Sequence, residues 1–246
     1  MLEVAGLSKR YDGTVALEDV TLTFNPGLIH AILGENGSGK STLVKLLSGV
    51  VRQTSGTIRI AGRPINGEGP AEIQRLGLAT VFQEVLLAPD RSVTDNILLG
   101  LGAAFGWRAP RAERRKLAAA ILGRIARTPI DLDAAAGSLS LAVGQIVVLA
   151  RALARRPKIL ILDEATAALD LSDREKAFQM MEGHVREGGL IVFISHRMDE
   201  VLRLADRVTI LRNGRVVDTL ERSAVTSDLL LRLMAPAAAE ELAHGR

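Results

Sequence analysis

LIHAILGENGSGKSTLVKLLSG, residues 28–49, decides the fold because it places an apolar run, a glycine-rich turn and a helix-forming segment in direct succession. Within it, Gly34, Gly39, Lys40 and Ser41 have the spacing G-x4-G-K-S. Glycines allow successive backbone N–H groups to surround a phosphate, and the following helix directs its positive end at the anion. A preceding strand and a following helix are the context that identifies a phosphate-binding loop. The stretch therefore predicts nucleotide binding.

The side chains of this loop have separate predicted roles. Lys40 is expected to neutralise the β- and γ-phosphates, and the Ser41 hydroxyl is expected to hold Mg²⁺. The candidate nucleotide-binding residues of the segment are Gly34, Glu35, Asn36, Gly37, Ser38, Gly39, Lys40, Ser41 and Thr42.

Apolar runs without alternation recur along the chain, and such runs are typical of strands buried on both faces of a parallel sheet. Helical stretches lie between several of them, which predicts a doubly wound α/β fold. Alternating residues predict a half-solvated strand at 20–24, and further strands are predicted at 56–62 and in a hairpin over 208–220 that turns at Asn213-Gly214. The buried runs are 28–33, 77–82, 158–162 and 190–194.

The region from about 87 to 154 has no strand pattern and is predicted to be helical. Leu117, Ile121 and Ile125 are predicted to share one helical face, and the arginines near 108–116 are expected to face water. We expect three parts: a nucleotide-binding core, a helical subdomain inserted into it, and a C-terminal tail or linker. Their predicted bounds are 1–86 plus 155–222 for the core, 87–154 for the helical part and 223–246 for the tail.

Composition limits the classes of partner. The net charge is +3 and the pI is about 9.6, but the arginines are scattered rather than clustered, which is typical of solvated faces. No nucleic-acid partner is therefore expected. The most apolar segment, residues 97–107, is shorter than the roughly 20 residues that cross a bilayer. We expect a soluble chain without a signal peptide, reaching a membrane only through a partner.

A second candidate site lies in KILILDEATAALD, residues 158–170. A buried strand ends there in two acids, Asp163 and Glu164. Asp163 is positioned for an indirect, water-mediated contact with Mg²⁺, and Glu164 is positioned to polarise an attacking water. Together with the phosphate loop, this pair predicts nucleotide hydrolysis.

From residue 1 to about 220 the chain resembles the nucleotide-binding domain of ATP-binding cassette (ABC) transporters. Tyr11, in YDGTVALEDV, matches the family's aromatic residue that stacks on adenine. Gln83, in VFQE, matches the glutamine that contacts Mg²⁺ and water and hinges the helical subdomain. Asp170, closing AALD, matches the loop that crosses to the other subunit, and His196, in FISHRMDE, matches the histidine that contacts the γ-phosphate.

This resemblance implies a P-loop NTPase (RecA-like) α/β core with an antiparallel β subdomain and an inserted α-helical subdomain. It also implies ATP as substrate and Mg²⁺ as cofactor, with Ser41 and Gln83 as metal contacts and Asp163 as an indirect one. Glu164, His196 and Gln83 are the implied catalytic residues.

The family signature LSGGQ, which binds the γ-phosphate held by the opposite subunit, has an unusual spelling here. Aligning Gln145 with its last residue gives LAVGQ, whereas aligning Ser140 gives LSLAV. Ser140 lies 23 residues before Asp163, which matches the family's usual separation. The signature residues are then Ser140, Leu141, Ala142 and Val143.

This spelling keeps the serine and loses both glycines and the glutamine. Any residue except proline supplies a backbone N–H at a helix start, so Leu141 and Ala142 can still donate if the helix begins at Ser140. Their Cβ atoms limit close approach, and Val143 lacks a hydrogen-bonding side chain. We expect a weakened but usable signature.

The LSLAV spelling, with TAALD and ISHRMDEV, resembles the carbohydrate-import branch of the family, in which two such domains are usually fused. Residues 227–234 resemble the segment that leads into the second domain, so the chain is either a half-size subunit or the first half of a longer one. The resemblance implies an ATPase that powers import of a sugar or related small polar solute. The implied partners are membrane permease subunits, a second nucleotide-binding domain and, indirectly, a solute-binding protein, at the cytoplasmic face of the cell membrane.

Two alternatives stay open at this point. One is a regulatory or catalytically weak half that binds ATP but needs a partner domain, which the loss of the signature glycines favours and the presence of Glu164 and His196 opposes. The other is a soluble cassette ATPase of DNA repair or translation. Such proteins usually carry coiled-coil insertions or RNA-binding arms, and this sequence has neither.

Overall fold

The computed structural model describes residues 1–101 and 109–234, and within these ranges the chain alternates strands and helices. The strands are β1 (Leu2–Tyr11), β2 (Thr14–Phe24), β3 (Ile29–Leu33), β4 (Ser55–Ile60), β5 (Arg63–Ile65), β6 (Leu78–Val81), β7 (Ile159–Asp163), β8 (Leu190–Ile194), β9 (Arg207–Arg212) and β10 (Arg215–Glu221). The helices are α1 (Lys40–Leu47), α2 (Pro70–Arg75), α3 (Val93–Leu98), α4 (Arg111–Leu122), α5 (Leu141–Ala154), α6 (Leu171–Arg186), α7 (Met198–Leu204) and α8 (Ser227–Met234).

The central sheet has the strand order β10-β9-β3-β8-β7-β6. Its strands pair in parallel, except that β10 pairs antiparallel with β9. Strands β3, β7 and β8 are buried along their whole length, so the apolar runs are confirmed as strands covered on both faces. The hairpin at Asn213-Gly214 is also confirmed, with φ of 50° and 76° at the two turn residues.

A second, antiparallel sheet has the order β2-β1-β4-β5. In β2 the buried residues Val20, Leu22 and Phe24 alternate with exposed threonines, which confirms the half-solvated strand. This sheet and α1 bury a shared apolar cluster against one face of the central sheet, with Ile161 and Val192 among its members. The other face of the central sheet packs on a cluster that contains residues of α3 to α7. The fold is therefore the α/β P-loop NTPase core with an antiparallel β subdomain.

Helices α3, α4 and α5 lie between β6 and β7, and no strand interrupts the described part of that region. The prediction that Leu117, Ile121 and Ile125 share one helical face is only partly right. Ile121 is buried on α4, but the helix ends at Leu122, so Ile125 is buried from the segment that follows it. Leu117 is only half-buried.

The expectation that the arginines near 108–116 face water holds for Arg111, whose side chain is 77% exposed, but not for Arg114. Arg114 pairs with Asp95, and both side chains are largely buried. Arg111 and Arg115 both pair with Asp133, so the basic start of α4 binds acids of the same subdomain rather than facing only water.

Arg151 on α5 is a half-buried charged residue with several backbone partners. Its guanidinium donates to the Asn96 carbonyl at 2.8 Å and to the Leu86 carbonyl at 2.9 Å. Burial lowers its pKa, and the positive charge of Arg155 acts in the same direction. The cation therefore ties α5 to α3 and to the segment after β6, which sequence periodicity does not reveal.

The structure leaves some sequence expectations untested. The tail from 235 to 246 and residues 102–108, which include most of the apolar segment 97–107, lie outside the described ranges. No helix in the described ranges is long and apolar enough to cross a membrane. The division into three parts with the stated bounds stays a prediction.

Candidate nucleotide site

The loop between β3 and α1 adopts a conformation that requires glycine. Gly37 and Gly39 have φ of 81° and 104°, in the left-handed region. A Cβ at Gly39 would lie 2.6 Å from Leu17 Cδ2 and 2.7 Å from the Ala16 carbonyl oxygen, both closer than van der Waals contact allows. The backbone can therefore wrap tightly ahead of α1 only because residue 39 has no side chain.

Lys40 folds back onto the loop that precedes it. Its Nζ donates to the Gly34 carbonyl at 2.7 Å and to the Glu35 carbonyl at 2.9 Å. Burial lowers the pKa of Lys40, while the charges of Glu164 and Asp163 oppose that shift. The ammonium is thus held at the loop, where a phosphate would offer it a stronger partner than the carbonyls.

One further polar atom of the loop fits a phosphate. The Ser38 side chain is 4% exposed, and its Oγ has no hydrogen-bond partner in the structure. An unsatisfied buried hydroxyl costs folding free energy, about 1–3 kcal/mol in mutational data. A bound phosphate oxygen nearby would give it a partner.

The loop opens into a cleft of about 630 Å³. It brings together residues from the antiparallel sheet, the phosphate loop and the ends of the central strands. Its lining residues are Thr14, Val15, Ala16, Asn36, Gly37, Gly39, Lys40, Ser41, Thr42, Gln83, Glu164 and His196. Seven of the predicted nucleotide-binding and catalytic residues beyond the loop glycines therefore meet in one cavity.

Glu164 is the polar centre of the cleft. Gln83 Nε2 donates to Glu164 Oε2 at 3.2 Å, and His196 Nδ1 lies 3.4 Å from the same oxygen. Glu164 has a φ of 50°, a conformation that a residue with a Cβ rarely adopts, and its N–H donates to the Ile194 carbonyl at 3.0 Å. Strained backbone of this kind clusters at functional sites because surrounding structure must enforce it.

Asp163, the residue before it, lies at the buried end of β7. Burial and then the negative charge of Glu164 raise its pKa to about 6, while Lys40 and Lys45 act in the opposite direction. A bound cation nearby would favour the ionised carboxylate.

The oxygen donors present fit Mg²⁺ only together with a nucleotide. They are the Ser41 hydroxyl, the Gln83 amide and the Asp163 carboxylate. In the described ranges no group of three or more acidic, histidine or cysteine side chains is close enough to hold a metal alone. Mg²⁺ commonly keeps several waters and binds through few protein groups plus substrate phosphates, and this donor set matches that pattern.

A family model for ABC transporters matches residues 17–167, which include the loop, Gln83, Glu164 and the segment before α5. The chain belongs to the ABC transporter family. It is 42% identical over 234 residues to ribose import ATP-binding protein RbsA 1 of Rhizobium johnstonii, covering 95% of this chain and 46% of that protein. The putative ribose/galactose/methyl galactoside import ATP-binding protein 3 of Agrobacterium fabrum is 40% identical over 233 residues, with 95% and 46% covered. The chain thus spans about half the length of these relatives.

Solved structures agree with this assignment. The dimeric post-hydrolysis structure of the ATP-binding cassette MJ0796 bound to ADP and Pi has a TM-score of 0.82 at 27% identity, covering 90% of this chain and 99% of that one. A nucleotide-free cassette from an ABC transporter has a TM-score of 0.80 at 23% identity, covering 99% and 98%, which supports the fold alone.

Tyr11 lies at the edge of this cassette's cleft rather than in its lining. It pairs across the β1–β2 hairpin with Thr14, which does line the cleft. The ring is 38% exposed, and the Lys9 ammonium lies 4.7 Å from its centroid. Lys9 thus covers one face of a ring that is partly exposed at the cleft edge, and the role of Tyr11 toward adenine stays a prediction.

The signature residues Ser140 to Val143 lie outside the cleft, at the start of α5. Ser140 is the N-cap, and its hydroxyl accepts from the Val143 N–H at 3.3 Å. The helix therefore begins where the weakened-signature hypothesis requires. Leu141 is 66% exposed, so this helix end is open to a ligand or a partner surface.

The competing alignment through Gln145 fits the structure poorly. Gln145 is 2% exposed inside α5, so it cannot reach a nucleotide on another subunit. Gly144 is buried as well, and a Cβ there would lie 3.0 Å from Val85 Cγ1. This glycine is explained by close packing, and the burial favours the alignment that begins at Ser140.

Asp170 has a local role that the sequence analysis missed. Its carboxylate caps α6 by accepting from the Ser172 and Asp173 N–H groups, both at 2.8 Å. The signal was available, because Asp directly before a helical segment is a common N-cap. Its predicted contact with another subunit stays a prediction.

Glu200 is the residue of the site that sequence reasoning did not find. It is 1% exposed, and its Oε2 accepts from the hydroxyls of Thr166 and Ser195, both at 2.8 Å. Its Oε1 lies 3.4 Å from Arg197 Nε and 3.6 Å from Arg174 Nη1. Thr166 lies two residues after Glu164, and Ser195 lies directly before His196. The buried Glu200 carboxylate therefore connects the two segments that contain the catalytic candidates.

Proposed function

We propose that the chain is the ATP-hydrolysing cassette of an importer for a sugar or a related small polar solute. The observation that carries the proposal is the convergence of Gln83 and His196 on one Glu164 oxygen beside the phosphate loop. A carboxylate in that place can polarise water and accept its proton, which a module that only binds nucleotide does not need.

The side chains divide the proposed chemistry as follows. Lys40 and the loop N–H groups hold the phosphates, Glu164 orients the attacking water, and His196 donates to the γ-phosphate. Ser41 and Gln83 would hold Mg²⁺, with Asp163 acting indirectly, and the ion would supply charge neutralisation at the phosphates.

A second cassette completes the proposed site. Ser140 and the first N–H groups of α5 point to a phosphate held by another copy or by a homologous half. The MJ0796 cassette, similar in fold and 27% identical, forms a dimer with ADP and Pi bound, which supports this arrangement.

Membrane permease subunits are the proposed partners of the groove between the core and the helical subdomain. Phe82, Leu86 and Leu99 line it, and Leu86 and Leu99 are 65% and 44% exposed. Exposed apolar side chains in a groove are typical of a protein contact. The cassette would then lie peripherally at the cytoplasmic face of the membrane, with a solute-binding protein acting upstream.

The sugar assignment rests on the relatives, whose names specify ribose import and ribose, galactose or methyl galactoside import. A regulatory half that needs a partner domain is the second candidate. The observation that favours it is the apolar signature, since Val143 offers no hydrogen-bonding side chain to a phosphate.

Size-exclusion chromatography of Glu164→Gln with and without ATP–Mg²⁺, beside single-turnover hydrolysis by the unmodified chain, tests the proposal. We expect an ATP-dependent dimer in the variant and slow hydrolysis in the unmodified chain, because removing the carboxylate traps ATP between two cassettes. Glu182→Gln, an exposed site on α6, is the matched control and should hydrolyse normally. A chain that binds ATP but neither pairs nor hydrolyses it would support the regulatory half instead.

A further inference from the structure

A second cavity, also of about 630 Å³, lies at the edge of the central sheet opposite the nucleotide site. Ile159 and Leu190, the first residues of β7 and β8, line it, whereas the cleft residues Glu164 and His196 follow the last residues of the same strands. A five-residue strand extends about 13 Å at roughly 3.3 Å per residue. The two cavities are therefore separate sites at opposite ends of shared strands.

The charges around this second cavity are unbalanced. Arg124, Arg156 and Lys158 line it with a single acid, Glu187. Within the described ranges, none of these three cations lies within ion-pair distance of a carboxylate. Arg111, Arg114 and Arg115 of the helical subdomain, by contrast, are paired with Asp95 and Asp133.

His184 adds a polar group to the lining. Its Nε2 is buried and has no hydrogen-bond partner in the structure. Burial lowers its pKa, although the Lys158 backbone and the charge of Glu187 act in the opposite direction. The lining side chains therefore include more cations than acids.

Arg156 occupies a backbone position that favours glycine. It follows the C-cap of α5 with a φ of 49°, and its N–H donates to the Leu153 carbonyl at 2.9 Å. This is the left-handed position after a helix at which glycine is common because it has no Cβ. A guanidinium is therefore present at the cavity where the backbone alone would favour glycine.

Apolar side chains form the rest of the lining. Met1, Pro26 and Leu76 are exposed or half-buried there, whereas Ile60, Leu153, Ile159 and Leu190 are each at most 5% exposed and leave little surface to the cavity. A volume of several hundred Å³ with an apolar lining and a few polar groups is typical of small-molecule sites. We propose that this cavity binds a small amphiphilic anion, with its apolar body on Met1, Pro26 and Leu76 and its phosphate or carboxylate head between Arg124, Arg156 and Lys158. The site does not depend on ATP hydrolysis.

Fluorescence titration with the anionic dye 8-anilinonaphthalene-1-sulfonate, at saturating ADP so that the phosphate loop is occupied, tests the proposal. Arg156→Gly and Lys158→Ala should each weaken dye binding about fivefold to tenfold, as expected for the loss of a charged contact. The control Arg232→Ala, on an exposed arginine of α8, should leave it unchanged. N-phenyl-1-naphthylamine, which has the same apolar body without the charge, should bind all variants within about twofold of the unmodified chain.

Thermal unfolding separates a binding effect from misfolding, since Arg156→Gly should not lower Tm when glycine suits its backbone. Phenyl phosphate and benzoate then compete with the dye. If phenyl phosphate displaces it at the lower concentration, the preferred head group is a phosphate; if benzoate does, it is a carboxylate. Equal dye affinity in the unmodified chain, Arg156→Gly and Lys158→Ala would overturn the proposal. So would an equal loss for the neutral dye.

Discussion

Asp163 and His30 are buried groups whose protonation should affect stability in opposite directions. Burial first, then the charge of Glu164, raises the Asp163 pKa to about 6, so its contribution to stability is lost as pH rises from about 4 to 6. Burial first, then Arg207, lowers the His30 pKa to about 4, so its contribution is lost as pH falls from 6.5 to about 4. In the unmodified chain the two effects should largely cancel.

Asp163→Asn should therefore make the chain more sensitive to acid. With the Asp163 contribution removed, the free energy of unfolding should fall by on the order of 2 kcal/mol between pH 6.5 and 4 because His30 must protonate. Urea unfolding of the nucleotide-free chain at several pH values measures this. Adding His30→Gln, whose amide can replace the 2.7 Å hydrogen bond to Thr209, should remove the slope. A slope unchanged by the second substitution would assign it to another group.

At the residue scale, the sequence correctly placed the glycine-rich loop between β3 and α1 and the acidic pair at the end of β7, because spacing and strand context encode these positions locally; the roles of these residues stay predictions. The convergence of Gln83 and His196 on Glu164 was available only through the family resemblance, since these residues are far apart in the chain. Glu200 was missed because its partners Thr166 and Ser195 are polar residues without a motif of their own.

At the element scale, the start of α5 determines how well the signature works. Leu141 and Val143 stand where the family has glycine and glutamine, although Ser140 still caps the helix. Val143→Gln should restore a side-chain donor or acceptor and raise ATP turnover severalfold. Steady-state phosphate release at matched protein concentration measures this. Lys116→Gln, at an exposed position of α4, is the control, whereas Val147 is buried and therefore unsuitable. Unchanged turnover would mean that backbone N–H groups alone suffice.

Glu200 on α7 connects the ends of β7 and β8, so its charge should matter for both stability and turnover. Glu200→Gln leaves Arg174 and Arg197 without a buried anion and should lower the free energy of unfolding by about 2–4 kcal/mol. If the carboxylate also positions Glu164 and His196, kcat should fall about tenfold while KM for ATP changes little, at a temperature where the variant is folded. Glu175→Gln, which removes an exposed ion pair with Arg203, should change neither quantity appreciably. If activity falls only in proportion to the fraction of folded protein, the role of Glu200 is structural.

Strands were predicted better than the helical region. The buried runs have no alternation and are flanked by turn residues, so their type is encoded locally. The partial burial of Arg151 depends on tertiary partners such as Asn96, which a periodic pattern does not identify. The largely buried pair of Arg114 with Asp95 was missed for the same reason.

At the scale of the whole molecule, the composite site predicts complementation between two defective chains. Lys40→Ala removes the phosphate contact of one cassette, and Ser140→Arg fills the space before α5 where the other cassette's nucleotide would bind. Each variant alone should be inactive. In a mixture, half the dimers should be heterodimers with one intact site of two, so activity should return to about a quarter of the unmodified level if each site works independently.

The mixing experiment is read by phosphate release from the two variants alone and together at equal total concentration. Circular dichroism and Tm check that Ser140→Arg, which removes an N-cap at a cost of about 1 kcal/mol, is folded. Recovery only on mixing would establish that two copies of this chain share their sites. No recovery from two folded, ATP-binding variants would contradict pairing between copies, and the missing signature would then have to come from a different cassette. The similarity to relatives of about twice this length makes that the specific alternative.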